Sequence, residues 1–293
     1  MMINKQRSYA EQEKQGILYL VPTPIGNLED ITLRALRILK ESSVIAAEDT
    51  RNTRKLCHYY DIRTPLISYH EHNKETSGHQ IIERLKQGEQ VALVSDAGMP
   101  TISDPGYELV RDAISEKIPV VPLPGANAAL TALIASGLPT QPFYFYGFLS
   151  RQKKEKKEEL NRLKNITDTV ILYESPHRLK ETLEYMLDIL GNRPITLCRE
   201  LTKKFEEFLR GDIKAALDWV ENEKVMGEFC LILEGAKEQA VEKREWWWES
   251  LSIVDHVQFY IDIKQMDAKE AVKQTAKDRN MPKREVYKIY HNT

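Results

Sequence analysis

The chain reads as short apolar runs that end in turn-forming clusters, with amphipathic stretches between them. Ile17 to Val21, Ser43 to Ala47, Pro65 to Tyr69, Gln90 to Val94 and Pro119 to Leu123 have the pattern of buried parallel strands. The intervening segments predict helices. One is opened by Asp30 with Leu33, Leu36 and Leu39 at helical spacing, one runs to about Tyr60, one covers Gly78 to Gln87, and one reaches about Ser115. Asp104 followed by Pro105 predicts an N-cap with proline at the first helical position. A small-residue helix over Ala128 to Ser136 is closed by Gly137 and Pro139. Five strands alternating with helices imply a parallel α/β domain.

From Phe143 to Leu149 a second unit begins, followed by a charged helix over Arg151 to Lys164. Strands are expected at Thr169 to Tyr173, Ile195 to Cys198, Phe205 to Leu209 and Glu228 to Leu233, with helices up to Leu190 and over Asp212 to Val220. This higher strand content suggests a mixed sheet. In Glu245-Trp246-Trp247-Trp248 three adjacent indoles cannot share one helix face, so at least one should be exposed or interfacial. Ser252 to Met266 is amphipathic and Asp267-x-x-Glu270 has the capping-box pattern. A second helix runs to Arg279, Asn280 ends it, and Pro282 starts a third over Lys283 to Tyr290. Three short helices with a tight turn resemble a helix-turn-helix module, and a helical cap packed on the main body is the other reading. The expected organisation is a flexible 1–15, an α/β lobe over 16–124, a second over 125–240 and a helical module over 241–293.

Composition changes this picture little. The 293 residues are 42% hydrophobic and 29% charged, enough for two cores, and a formal charge of −2 names no partner. Local charge is more informative: Lys264 to Thr293 holds eight Lys or Arg against four Asp or Glu, and Arg151 to Lys164 holds seven against three. Such runs are solvated helix faces or phosphate-binding tracks. Cys57, Cys198 and Cys230 are odd in number and widely spaced, as for reduced core thiols rather than a disulfide framework or zinc site. The first sixteen residues lack an apolar signal core and no run approaches a membrane span, which points to the cytoplasm.

Candidate chemistry centres on Ser95 to Ser103, nine residues rich in Gly, Ala, Ser and Thr beyond the end of an apolar strand. Ligands bind at such strand ends in open α/β sheets. No G-x-G-x-x-G, Walker-type or G-x-S-x-G motif occurs, which excludes the usual dinucleotide, nucleotide and serine-hydrolase readings. His70-x-His72 is the nearest approach to a metal-ligand spacing and reads as a polar loop.

The motifs VPTPIGNLEDITLRAL, AEDTRNTRKL, SDAGMPTISDPG, PLPGANAALTALIASGLP, FYGFL, ILYESPHRL, CRELTKKFEE and GEFCLILEG occur in this order. Together with AKDRNMPKREVYKIYH near the C-terminus, they closely resemble the tetrapyrrole methylase superfamily, in the branch that acts on ribosomal RNA. The resemblance implies two α/β lobes around a cleft for S-adenosylmethionine. It also implies methyl transfer to the 2′-hydroxyl of a cytidine in the decoding region of small-subunit 16S ribosomal RNA, a homodimer, and no metal. Carried onto this sequence, the cofactor site falls on Pro24, Ile25, Asp96, Met99, Thr101, Ile102, Ala128, Ala129, Tyr173, Gly227 and Glu228. For Ala128 and Ala129, close helix packing is an equal alternative.

Methyl transfer from a sulfonium is an in-line displacement in which positioning supplies most of the acceleration. Asp49, His70, Glu174 and His177 are candidates for a general base, none singled out, and Arg51 beside them is a candidate for holding a phosphate. Arg178, Arg199, Lys203, Lys204, Lys283, Arg284 and Lys288 are candidates for RNA phosphates. A methyltransferase acting on a porphyrin-like small molecule and a non-enzymatic nucleic-acid-binding regulator are the rival classes.

Overall fold

In a computed structural model that describes residues 5–6, 16–237, 247–248 and 250–291, the chain divides into two compact units, up to residue 236 and from 237 onward. The first unit contains two five-stranded sheets. Strands β1 (Leu18–Leu20), β2 (Val44–Ala47), β3 (Leu66–Ser68), β4 (Val91–Val94) and β5 (Val120–Pro122) form the first, in the order β3-β2-β4-β1-β5 and parallel throughout. Successive side chains point to opposite faces, so every buried position on these strands has a layer to join. Val44, Ala46, Val91 and Leu93 pack with Ile81, Leu85 and Leu109 from α3 (Lys74–Lys86) and α4 (Tyr107–Ser115). Ile45, Ala47, Ala92 and Val94 pack instead with Ile38, Leu39 and Cys57 from α1 (Leu33–Glu41) and α2 (Thr50–Tyr59).

That segregation positions the site. The neighbouring strands β4 and β1 send their following helices to opposite faces, so the loops beyond them diverge and leave a crevice. The two loops are tied where they part: the backbone groups of Thr23 and Gly98 exchange hydrogen bonds of 2.9 Å in both directions.

The second sheet is mixed, as the sequence pattern suggested. Strands β6 (Phe143–Phe148), β7 (Thr169–Glu174), β8 (Pro194–Arg199), β9 (Glu207–Asp212) and β10 (Phe229–Leu233) lie in the order β6-β7-β10-β8-β9. Only β6 and β7 run parallel among these pairs. Helices α6 (Lys153–Leu163), α7 (Leu179–Leu190) and α8 (Ile213–Asn222) cover one face through Leu160, Leu183 and Ile213. The small-residue helix α5 (Ala128–Ser136) covers the other, where Ala129, Ala132 and Leu133 meet Ile171, Cys198 and Cys230. Alanine at the contact lets the helix approach the sheet closely. The two sheets' loops also meet directly, since the Asn27 N–H donates to the Thr202 hydroxyl at 3.0 Å.

Several boundaries differ from the sequence reading, each for a local reason. Asp30 closes a single 3-10 turn, Leu28–Asp30, and α1 starts later because the Thr32 hydroxyl accepts the Ala35 N–H at 3.0 Å. Asp104 is not the cap of α4. Gly106 holds that position with φ 141°, and the Asp104 side chain lines the crevice instead. Helix α3 begins at Lys74 rather than near Gly78, after the Asn73 side chain has bonded Ser68 and His70 backbone groups. Strand β9 starts at Glu207 because Lys203 to Glu206 forms a turn, with the Thr202 N–H donating to Glu206 Oε1.

In the second unit, α9 (Ile253–Asp262), α10 (Ala268–Asp278) and α11 (Lys283–His291) enclose Val257, Ala271, Val272, Ala276 and Val286. Ser252 and Asp267 cap the first two helices, and Asn280, at φ 50°, turns the chain before Pro282. Arg279 donates to His256 Nδ1 at 3.0 Å and to the Trp248 carbonyl at 2.9 Å. The cation and burial together hold the His256 pKa below its usual value, burial being the larger cause. Trp247 is 47% exposed, while Glu245, Trp246 and most of the expected flexible N-terminus lie outside the described residues. Among the described residues, no helix is long and apolar enough to cross a membrane and no cluster of three or more His, Cys, Asp or Glu side chains is placed to hold a metal ion.

Candidate functional site

The loop beyond β4 is built to be rigid and small. The Thr23 hydroxyl donates to the Ser95 carbonyl at 3.1 Å, and the Ser95 hydroxyl donates to the Gly98 carbonyl at 3.1 Å. Gly98 adopts φ 80°, and a Cβ there would press on Ile25 at 3.3 Å, so the loop approaches its neighbour only through glycine. Thr101 and Ser103 also have left-handed backbones, at φ 73° and 65°. Such conformations cost energy in non-glycine residues and concentrate at ligand sites.

Between this loop and the second sheet lies a cavity of about 430 Å³, within the range of small-molecule and cofactor sites. Ile25, Asp96, Ala97, Gly98, Met99, Ile102 and Asp104 form one wall. Tyr173, Phe148, Cys198, Glu228 and Cys230 stand opposite, and Ala128 at the start of α5 completes it. Tyr173 is fixed in place: its hydroxyl accepts the Ala129 N–H at 3.1 Å and its ring meets Phe145 and Phe148 at centroid distances of 5.3 and 5.4 Å. Burial pushes that phenol up to about 12 and Cys198 to about 12, with Cys230 well above its usual value, so these groups stay neutral.

The charged side chains lining the cavity are acidic, with Asp96 and Asp104 on one wall and Glu174 and Glu228 on the other. Asp96 accepts the Asp49 N–H at 3.1 Å and the Asn52 amide at 3.2 Å, so the start of α2 orients it. Asp104 is pushed up to about 7, by burial first and then by the negative charges of Glu48 and Asp96, against a lowering hydrogen bond from Ser95. Burial, then Asp96, likewise raises Glu48. The sequence reading included Asp96 and passed over Asp104 and Glu48.

The remaining candidates separate into several groups. Ile25, Asp96, Met99, Ile102, Ala128, Tyr173 and Glu228 line the cavity. Pro24 faces an adjoining groove instead, Thr101 packs its methyl near Gly106, and Ala129 is buried in the core of the second sheet. Gly227 acts indirectly: at φ 92° it leaves room for the Glu200 side chain, whose Oε1 accepts the Glu228 N–H at 2.9 Å. Among the proposed bases, Asp49 is an N-cap that accepts from the Arg51 backbone and guanidinium, and these bonds hold it down at about 2. Glu174 borders the cavity, but its oxygens accept from Thr182 at 2.6 Å and from the Ser175 N–H at 2.8 Å. His70 and His177 do not line the cavity; His70 Nδ1 is buried without a partner and His177 is exposed.

The cationic candidates divide in the same way. Arg178 donates to the Leu149 and Ser150 carbonyls at 2.7 and 2.8 Å, and Arg199 donates to the Met226 carbonyl at 2.7 Å and to Glu207 at 3.2 Å. Both have structural tasks within the second lobe. Lys203 bridges Glu200 and Glu228 at 2.9 Å each, and Lys204 lies over the Phe205 ring. Lys283, Arg284 and Lys288 are exposed on α11, whose buried contact is Val286.

Residues 17–217 match the family model of tetrapyrrole (corrin/porphyrin) methylases. The chain belongs to this family. Over 290 residues, 99% of each chain, this methylase is 61% identical to a Bacillus subtilis protein named Ribosomal RNA small subunit methyltransferase I. It is 60% identical over 98% of each chain to the protein of the same name from Halalkalibacterium halodurans. Among solved structures it resembles uroporphyrin-III C-methyltransferase from Thermus thermophilus complexed with S-adenyl homocysteine. That likeness has a TM-score of 0.54 and 20% identity, and covers 75% of this methylase and 97% of the other chain. It establishes the fold and leaves a quarter of this methylase without a counterpart.

Proposed function

We propose that this protein transfers the methyl group of S-adenosylmethionine to the 2′-hydroxyl of a cytidine in the decoding region of 16S ribosomal RNA, acting in the cytoplasm as a homodimer. The observation that carries this reading is the 61% identity, across 99% of the chain, to a protein named for methylation of small-subunit ribosomal RNA. The second unit supports it, because exposed Lys283, Arg284 and Lys288 suit a polyphosphate backbone. Leu130 and Ile134, 48% and 78% exposed on the outer side of α5, support a dimer contact.

The residues present fit the cofactor. Ala97, Gly98 and Ala128 leave backbone groups approachable, Asp96 and Asp104 favour a cation, and Phe148 and Tyr173 offer aromatic surface beside them. When bound, S-adenosylmethionine supplies an electrophilic methyl group for in-line displacement. The chain's own contribution is to position the acceptor hydroxyl and take its proton. Asp104 is the carboxyl suited to that proton: at about 7 it is partly ionised near neutrality and its basicity is matched to the task. Asp49, at about 2, is too weak a base, and the Glu174 oxygens are already engaged.

Tritium transfer from S-adenosylmethionine to small ribosomal subunits lacking the modification tests the reading, followed by mapping with ribose-sensitive cleavage. A methylated ribose on one cytidine is the expected product. A methylated base, or transfer to a porphyrin-type ring and not to RNA, would overturn it.

A further inference from the structure

A second cavity of about 520 Å³ adjoins the cofactor cleft and shares Ile25, Asp96, Ala97 and Glu228 with it as a common wall. Its outer side is one face of α2. Cys57 is buried in the protein core and Thr53, also buried, borders the groove, which Asn52, Lys55, Leu56 and Tyr59 line at helical spacings of three and four. This face is not an ordinary solvated one. Tyr59 leaves 64% of its surface exposed while held edge-on against Tyr60 at 4.8 Å, and the Tyr60 hydroxyl is in turn bonded to the Leu28 carbonyl. Lys55 has no carboxylate partner among the described residues. The helix carries Arg51, Arg54 and Lys55 and no acidic residue, so it is positive along its length.

Within the groove the acids are already satisfied. Asp96 is bonded by Asn52 at 3.2 Å, and Glu228 is bridged by Lys203 at 2.9 Å. What remains is an aromatic ring that stays exposed beyond its edge contact with Tyr60 and a cation with no carboxylate partner among the described residues, arranged beside a wall that opens on the methyl donor's cleft. From Asn52 to Tyr59 the helix rises about 10 Å, so the ring and the shared wall lie at separate ends. An aromatic platform with a nearby cation is how single-stranded RNA is held when a base is splayed out of its stack.

We propose that this groove is the acceptor subsite, taking one splayed-out ribonucleotide whose base stacks on Tyr59, whose flanking phosphate meets Lys55, and whose ribose reaches the wall at Asp96 and Ala97. The inference rests on the RNA-methylating reading above and extends it to named residues. A base that remained stacked within the RNA would not place its ribose hydroxyl at the shared wall. The stripe on α2 therefore acts as the holder of the extruded conformation, and the cofactor cleft needs no cation of its own for the RNA.

Full-length wild type, Tyr59→Ala, Tyr59→Phe and Lys55→Gln are compared by initial rates of methyl transfer to small ribosomal subunits. Cofactor titration and thermal unfolding report that each variant is folded. Tyr59→Ala should raise KM for the subunit roughly 10- to 100-fold while the cofactor Kd stays unchanged, and Tyr59→Phe should behave as wild type. Lys55→Gln should raise KM and reduce the slope of affinity against salt by about one. Retention of subunits on a filter is measured in parallel, so the groove is tested whether or not methyl is transferred. Wild type that binds subunits but transfers no methyl would sink the functional reading alone. Equal retention and equal KM for wild type, Tyr59→Ala and Lys55→Gln would overturn the acceptor subsite, as would a loss of cofactor affinity matching the loss of rate.

Discussion

The loops beyond β2 and β4 each place an aspartate beside the same crevice, and the fold drives the two in opposite directions. Asp49, beyond β2, begins a helix: a backbone N–H and a guanidinium bond its carboxylate, which stays ionised at about 2. Asp104, beyond β4, has the opening motif of a helix but is displaced from the cap by Gly106. It is partly buried near Glu48 and Asp96 and titrates at about 7. Identical side chains become a structural anion in one loop and, in the other, a carboxyl whose proton affinity is raised toward neutrality. Hydrogen-bond donors favour the charged form, while burial beside like charge disfavours it.

Exchanging the two aspartates for asparagine is the sharpest way to break this comparison. Asp104→Asn should lower the single-turnover rate of methyl transfer about 10²- to 10⁴-fold, the usual worth of a general base. Asp49→Asn keeps a capping side chain and should leave the rate within a few-fold. Equal losses in the two variants would remove the distinction. Smaller in effect, Asp96→Ala should weaken S-adenosylmethionine binding about 10- to 100-fold in a calorimetric titration, as for loss of a hydrogen bond to a charged group. A cation entering the cleft also lowers the proton affinity of Asp104. Wild-type cofactor affinity should therefore rise between pH 6 and 8, and that rise should vanish in Asp104→Asn. A flat wild-type profile would show that the cation does not sense Asp104.

How much of this was legible in the chain depended on the range of the interaction involved. Helix α5 was read to the residue because its start and stop are local: Asn127 caps it by accepting the Leu130 N–H, and Gly137 ends it at φ 83°. Asp96 was legible as the acid in a small-residue loop beyond a strand. Asp104 was not, because Asp-Pro-Gly reads locally as a cap, and its neighbour Glu48 comes from another strand. Arg178 and Arg199 read as phosphate ligands because a cation at a strand end looks the same whether it faces solvent or a carbonyl. Only the fold shows that Leu149, Ser150 and Met226 carbonyls receive them. Tyr59 was overlooked for the opposite reason: near the end of a helix an aromatic residue reads as core, and Tyr60 is the one turned inward while Tyr59 is left out.

The smallest expected effect tests the same contrast through folding. Asp49 has a folded pKa of about 2, below the ordinary 3.8, so the folded state holds its proton less tightly than the unfolded chain. Its stabilising effect is therefore complete above about pH 4 and is lost as pH falls toward 2. Asp104 has a folded pKa of about 7, above the ordinary 3.8, so between those values the folded state keeps a proton that the unfolded chain releases. Its contribution makes stability fall as pH rises from about 4 to about 7 and then level off. Thermal unfolding from pH 3 to 8 should show Asp104→Asn losing the descending slope and melting above wild type at pH 8. Asp49→Ala should melt lower by about 2 °C near neutrality and lose part of the acid-side decline, a small change because the carboxylate is solvent-screened. Parallel pH curves for wild type and Asp104→Asn would mean that Asp104 is ionised throughout, and the proton would have to leave by another group.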